Sequence, residues 1–234
     1  VQAFPEAMGA AKKNGIKVIY GVEGYLVEDE VPIIKDANDK PLSQSFVVFD
    51  IETTGFSSTN DKITEIGAVK IENYKVVDRF SELINPEADI SYKIQELTGI
   101  TNDMVKDKPT IEEVLPRFLE FVGDSVLVAH NADFDMGFIA QKSRQLGLEF
   151  NNKSVDTLML GRILLPHLKR HRLDVIAKEL GISLVNHHRA VDDAEATSHI
   201  FNKFLEMLQK HGVEKWSDVN EKLEGLDYTK ILAN

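Results

Sequence analysis

Apolar positions along this chain follow two rhythms. Runs rich in β-branched and aromatic residues at 46–52, 63–72, 76–84 and 126–130, with a shorter one near Ser154, predict strands. Apolar residues returning every three to four positions predict helices over 111–122, 135–146, 157–165, 173–180 and 190–210. The second and third strands are joined by Asn73-Tyr74-Lys75 and read as a hairpin. Strands first, then helices interleaved with strands, predict an α/β fold with a mixed sheet and helices on its faces. From about Val213 onward, Trp216 included, the pattern is a polar tail with at most one helix and no legible chemistry. There is no internal repeat and no low-complexity segment.

The first strand breaks its own pattern in an informative way. Phe46-Val47-Val48-Phe49 is apolar enough to be buried on both faces, yet it ends Asp50-Ile51-Glu52 before the breaker Thr53-Thr54-Gly55. Side chains two apart on a strand share a face, so two carboxylates point at one spot. They repel unless a cation lies between them, and hard oxygen ligands suit Mg²⁺ or Mn²⁺. Taken alone, the pair also fits a strand that ends in solvated acids.

Further acids stand where the pattern places element boundaries. Val126-Leu127-Val128-Ala129-His130-Asn131-Ala132-Asp133-Phe134-Asp135 reads as a buried strand, a turn and a helix start, where an acid is also favoured by the helix dipole. In His187-His188-Arg189-Ala190-Val191-Asp192-Asp193 two His-to-Asp pairs have the same spacing, and helical phase separates them. At about 100° per residue, the apolar stripe through Ala190, Ala194, Phe201, Phe204, Leu205 and Leu208 is centred about 60° from Asp193 and about 160° from Asp192. Asp193 therefore borders the buried face, Asp192 points to water, and His188 precedes or starts the helix. Asp156, also before a helix, reads as an ordinary N-cap.

Together these motifs resemble the DnaQ-like, DEDDh family of 3′-to-5′ exonucleases: Asp-x-Glu on the first strand, an Asp after a His-Asn turn, and His-x-x-x-x-Asp at the last helix. All five positions are intact as Asp50, Glu52, Asp135, His188 and Asp193. The likeness spans residues 44–212, including Leu97-Thr98-Gly99-Ile100-Thr101, and is strongest to the proofreading exonucleases of PolC-type bacterial replicative DNA polymerases. It implies a ribonuclease-H-like five-stranded mixed sheet over residues 45–211. It also implies two divalent ions, Mg²⁺ or Mn²⁺, held by Asp50, Glu52, Asp135 and Asp193, with His188 taking a proton from the attacking water. Substrate contacts implied by the family are the backbone at Thr53 and Thr54, Phe56 as an apolar wedge, and His130 and Asn131 along the strand; Phe56 also fits a core aromatic beside a turn. In those polymerases the exonuclease is inserted into a PHP domain. Residues 1–44 resemble the upstream part of one, with Glu23 at a ligand position whose partners are missing, so the chain is expected to be a piece of a longer polypeptide with 212–234 as a C-terminal tail. Implied partners are a DNA 3′ end, the polymerase and PHP portions of the parent chain, and the replisome sliding clamp, for which no segment is assigned.

Composition narrows the setting. With no cysteine among 234 residues, disulfides and thiolate metal sites are excluded, which fits a reducing cytoplasm. No apolar run approaches the roughly 20 residues needed to cross a bilayer. A net charge of −11 argues against binding nucleic acid through a broad basic surface. Local positive charge remains at Lys169-Arg170-His171-Arg172 and at Arg189, where phosphates could be met. An RNA exonuclease of the same fold and a noncatalytic polymerase module remain as alternatives.

Overall fold

The computed structural model describes residues 10–15, 17, 42, 45–184 and 189–223. The chain divides into two compact units, residues 1–31 and 32–234. Within the first, residues 10–14 are helical, and the Asn14 side-chain amide donates to the Ala10 carbonyl at 2.9 Å. Glu23 and most of the PHP-like stretch lie outside the described residues.

The second unit is built on strands β1 (Phe46–Thr53), β2 (Ile63–Glu72), β3 (Lys75–Leu83), β4 (Val126–Ala129) and β5 (Ser154–Asp156). They lie in the order β3-β2-β1-β4-β5, antiparallel on the β3-β2-β1 side and parallel from β1 through β4 to β5. This is the mixed five-stranded sheet that the sequence predicts. Helices α1 (Tyr92–Thr98), α2 (Asn102–Val105), α3 (Ile111–Val122), α4 (Ala132–Leu146), α5 (Thr157–Leu164), α6 (Leu173–Glu179), α7 (Ala190–Lys210) and α8 (Trp216–Leu223) complete it.

Period-two alternation on β1 feeds two separate cores. Phe46 and Val48 join Val69, Ile71, Val126 and Val128 beneath α5 and α7, while Val47, Phe49 and Ile51 join Ile66, Ala68 and Leu127 beneath α3 and α4. Helix α3 opens with a capping box in which Thr110 N–H donates to the Glu113 carboxylate at 3.0 Å.

Several details depart from the sequence reading. Helices α1 and α2 were not predicted; at seven and four residues they are too short to display a helical period, and they close a small cluster of Ile90, Ile94, Ile100 and Val105. Helix α4 begins three residues before the predicted start, because the chain turns at Asn131 (φ 69°, ψ 52°) and not at Asp135. The hairpin turn is Asn73-Tyr74 alone, both with positive φ (50° and 65°) as a type I′ turn requires, and Lys75 already pairs with Glu72. The expected polar tail is core: Trp216 is 2% exposed, stacked on Phe201 (6.1 Å, 2°) and edge-on to Phe46 (5.7 Å), and Val213 and Val219 are buried beside it. Leu42, before the predicted boundary, joins the same core and donates its N–H to the Glu214 carbonyl at 3.2 Å.

Candidate active site

One face of the sheet changes character halfway along. Below α7, β1 presents Phe46, Val48, Asp50 and Glu52 in turn. Its antiparallel partner β2 presents Ile71, Val69, Gly67 and Glu65, with Asp50 opposite Gly67 and Glu52 opposite Glu65. The apolar half holds the helix down, and the polar half leaves room for chemistry.

Gly67 makes that room. A Cβ there would fall within the main chain of Ala190 and Val191, so only glycine lets the first turn of α7 approach the sheet this closely. Glu65, fully buried, anchors the same turn. Its carboxylate accepts from Arg189 Nε (3.2 Å to both oxygens), from an Arg189 terminal nitrogen (2.9 Å) and from the Ala190 N–H (3.1 Å). The Arg189 side chain makes no capping bond to α7, so a glutamate from the neighbouring strand supplies an acceptor. Arg189, where the sequence leaves room for a phosphate contact, places its Nε and one terminal nitrogen on Glu65.

This docking brings Asp193, 4% exposed, over the strand end. Oxygens of Asp50, Glu52 and Asp193 all lie within 4.8 Å of one another, an arrangement able to hold a metal ion. Asp193 is buried, in line with its helical phase, and Asp192, expected to point to water, is partly buried. Asp135 stands beside the triad from the first turn of α4, also buried, and its Oδ1 accepts the Ile51 N–H at 3.1 Å. It is thus tied to the residue between Asp50 and Glu52.

The electrostatics are those of acids crowded without enough positive charge. Burial pushes Asp50 well above the usual carboxyl range, and Asp135, Glu52 and Asp193 add to it. Glu52 is raised to about 8, by burial first and then by Asp193 and Glu65, with Arg189 opposing. Asp135 is raised to about 8 by burial, against its bond from Ile51. Carboxyls held this far from their ordinary ionisation are a donor set that a divalent cation fits, because it would supply the missing charge. His187 and His188 lie outside the described residues.

The remaining predicted contacts fall around this cluster. At Glu52/Thr53 the register with β2 shifts by one residue, Glu52 facing Glu65 and Thr53, the last residue of the strand, facing Ile63. The Thr53 hydroxyl then donates to the Gly55 carbonyl (2.6 Å), and the Thr54 N–H is taken by the Lys62 carbonyl (2.8 Å). Phe56, 80% exposed, is the most exposed of the large apolar side chains described. His130 is mostly buried, with Nδ1 3.0 Å from the Thr157 hydroxyl, and burial lowers its pKa to about 4, so it offers a strand no positive charge at neutral pH. Asn131 is exposed, and its N–H donates to Asp156 Oδ1 at 3.0 Å. Asp156 also accepts the Leu158 N–H at 2.7 Å, as the predicted N-cap of α5. Lys169 and Arg170 are exposed, and Arg172 pairs with Asp174.

The sequence reading missed Glu65 and Gly67 as parts of the site. A signal existed, because both share the parity of Val69 and Ile71 within an apolar strand, where a charge and a missing side chain on the inner face need a reason.

A family model described as Exonuclease matches residues 47–201. DNA polymerase III PolC-type from Clostridium perfringens is 54% identical over 233 residues, which is 99% of this chain and 16% of that protein. The chain therefore spans about one sixth of the length of the curated relatives it matches. Among solved structures, Exonuclease X in complex with 5′ overhanging duplex DNA is 27% identical with a TM-score of 0.59, over 76% of this chain and 99% of that one. E. coli Exonuclease I in complex with a dT13 oligonucleotide shares the fold at 19% identity, with a TM-score of 0.63 over 71% of this chain and 42% of that one. The stretch matched by the family model runs from the second residue of β1 to the middle of α7 and so takes in every described acid of the cluster; this chain belongs to the exonuclease family.

Proposed function

We propose that this chain removes nucleoside 5′-monophosphates from DNA 3′ ends, in the 3′-to-5′ direction, as the proofreading portion of a PolC-type replicative polymerase. The observation that carries the reading is the convergence of Asp50, Glu52 and Asp193 within 4.8 Å, with Asp135 alongside. The identity with a PolC-type polymerase over nearly the whole chain supports DNA as the substrate, and the polymerase and PHP portions of a longer chain, in a bacterial cytoplasm, as the setting.

Exonucleases of this family depend on divalent metal, and the four acids are the residues that would hold it, as two Mg²⁺ or Mn²⁺ ions. Such ions polarise a phosphoryl oxygen and lower the pKa of bound water. The chain's own residues do the rest. Asp50 and Glu52 share one face of β1, so both contribute to the same point; Asp193 closes it from above, and Asp135 extends it towards α4. His188 takes the proton from the attacking water, a task that suits an imidazole with an ordinary pKa of about 6.5. Phe56 stacks on the terminal base, worth about 1–3 kcal/mol without reading sequence. The turn at Thr53 and Thr54 meets the sugar of that nucleotide, and His130 and Asn131 border the strand behind it. Lys169 and Arg170 meet phosphates further along. A mispaired end unstacks more cheaply than a paired one, so a site that accepts single strands favours errors.

Digestion of end-labelled single-stranded DNA and RNA in Mg²⁺, Mn²⁺ or EDTA tests this reading. A one-nucleotide ladder on DNA in either metal, absent in EDTA, is the expected result. A ladder on RNA alone points to an RNA exonuclease, and no cleavage of either to a noncatalytic module.

A further inference from the structure

The segment between β1 and β2, residues 54–62, is built as a stiff loop. Its base is closed by the Thr54 N–H to the Lys62 carbonyl (2.8 Å) and the Lys62 N–H to the Thr54 hydroxyl (3.0 Å). Inside it, Asp61 accepts the Ser57 N–H through Oδ2 at 2.8 Å and returns its own N–H to the Ser57 carbonyl at 2.7 Å. Gly55 leaves space for that carboxylate, since a Cβ there would stand 2.5 Å from Asp61 Oδ2. The loop's one large apolar side chain, Phe56, points outward.

Helix α4 supports this loop at two points. Phe134 meets the Phe56 ring at 6.4 Å, with ring planes 61° apart. Two turns further on, Lys142, 4% exposed, sends its ammonium group up to the Asp61 carbonyl (2.8 Å) and the Ser58 carbonyl (3.3 Å). An ammonium group is costly to bury without partners, and a lysine filling core space needs no charge. Here the carbonyls of the loop converge on it. Burial and the nearby Lys62 lower its pKa, while Asp61 opposes them. The same helix carries Asp135, so the ring and the acidic cluster are referred to one rigid element.

We propose that Lys142 is a positioning residue for the 3′ end of the substrate: it pins the loop from below so that Phe56 is held ready to stack on the terminal base. The inference rests on the reading of Phe56 given above. A ring that is already ordered spares the cost of ordering it when the strand arrives, so the pin acts on binding rather than on the chemical step.

The test is a double-mutant cycle on the full chain with Lys142→Met, Phe56→Ala and the pair combined. Affinity for a labelled single-stranded oligonucleotide is read by anisotropy in Ca²⁺, and turnover is read separately in Mg²⁺. Losing the stack is expected to raise Kd about 5- to 150-fold in Phe56→Ala. Loosening it is expected to raise Kd about 3- to 10-fold in Lys142→Met, with the loss in Kd and KM exceeding that in kcat. The double variant should match Phe56→Ala alone, because without the ring there is nothing to position. Multiplicative effects, an unchanged Kd in Lys142→Met, or a loss confined to kcat would overturn the proposal. If Lys142→Met does not fold, Asp61→Ala, which cuts the Ser57 bond within the loop, must show the same signature and the same non-additivity. Binding without turnover in the unmodified chain would count against the exonuclease reading, and the cycle on Kd would still decide the role of the lysine.

Discussion

At Glu52 a carboxyl that ordinarily ionises near 4.5 is pushed up to about 8, and Asp135 and Asp50 are raised with it. Groups that hold protons more tightly in the folded state stabilise it fully below their ordinary pKa, and that contribution is lost as pH rises through the folded value. In EDTA, the melting temperature is therefore expected to fall between pH 7 and pH 9, a window in which His130, lowered to about 4, is neutral in the folded state. Saturating Mn²⁺ should flatten the slope. Differential scanning calorimetry at the two pH values checks this, and an equal Tm in EDTA would show that the acids are not crowded as described. The pairing of Asp50 with Glu52 and the choice of Asp193 over Asp192 were legible because strand parity and helical phase are local, whereas Asp135 was singled out only by the family resemblance. Lys142 was not, since nothing local tells a lysine in α4 that bonds loop carbonyls from one that reaches solvent.

At the level of elements, the site depends on how closely α7 lies on β2. Gly67→Ala would put a methyl group into the main chain of Ala190 and Val191, forcing the first turn of the helix away and taking Asp193 with it. Overpacking of this kind costs about 1–3 kcal/mol, while a displacement near 1 Å at a reacting centre costs about 10²-fold in rate. The expected outcome is a folded variant with kcat about 10²-fold lower and weaker Mn²⁺ binding by calorimetry; wild-type turnover would mean that the helix tolerates the shift. The long elements were legible because each sustains its own period, and α3 and α7 run over the residues predicted. Helices α1 and α2 were not, because their apolar residues serve a four-residue cluster that forms only in the fold. The bond between Glu65 and Arg189 joins residues 124 apart and leaves no periodic trace.

For the molecule as a whole, the part least legible in the sequence is the segment around Trp216, which reads as a polar tail and packs as core. Trp216 lies in a segment of polar residues, and its partners Phe46 and Phe201 are distant in the chain, so no window around it reveals that it is core. Replacing a buried tryptophan by alanine costs about 3–5 kcal/mol, and Trp216→Ala should lose that much by urea unfolding although it is no part of the acidic cluster. A loss under about 1 kcal/mol would return the segment to the status of an appendage. The bond between Leu42 and Glu214 has a further consequence. It sets the chain just before β1 beside the chain entering α8, so the segments that lead into the first strand and the last helix are tied at one place and neither can swing away alone.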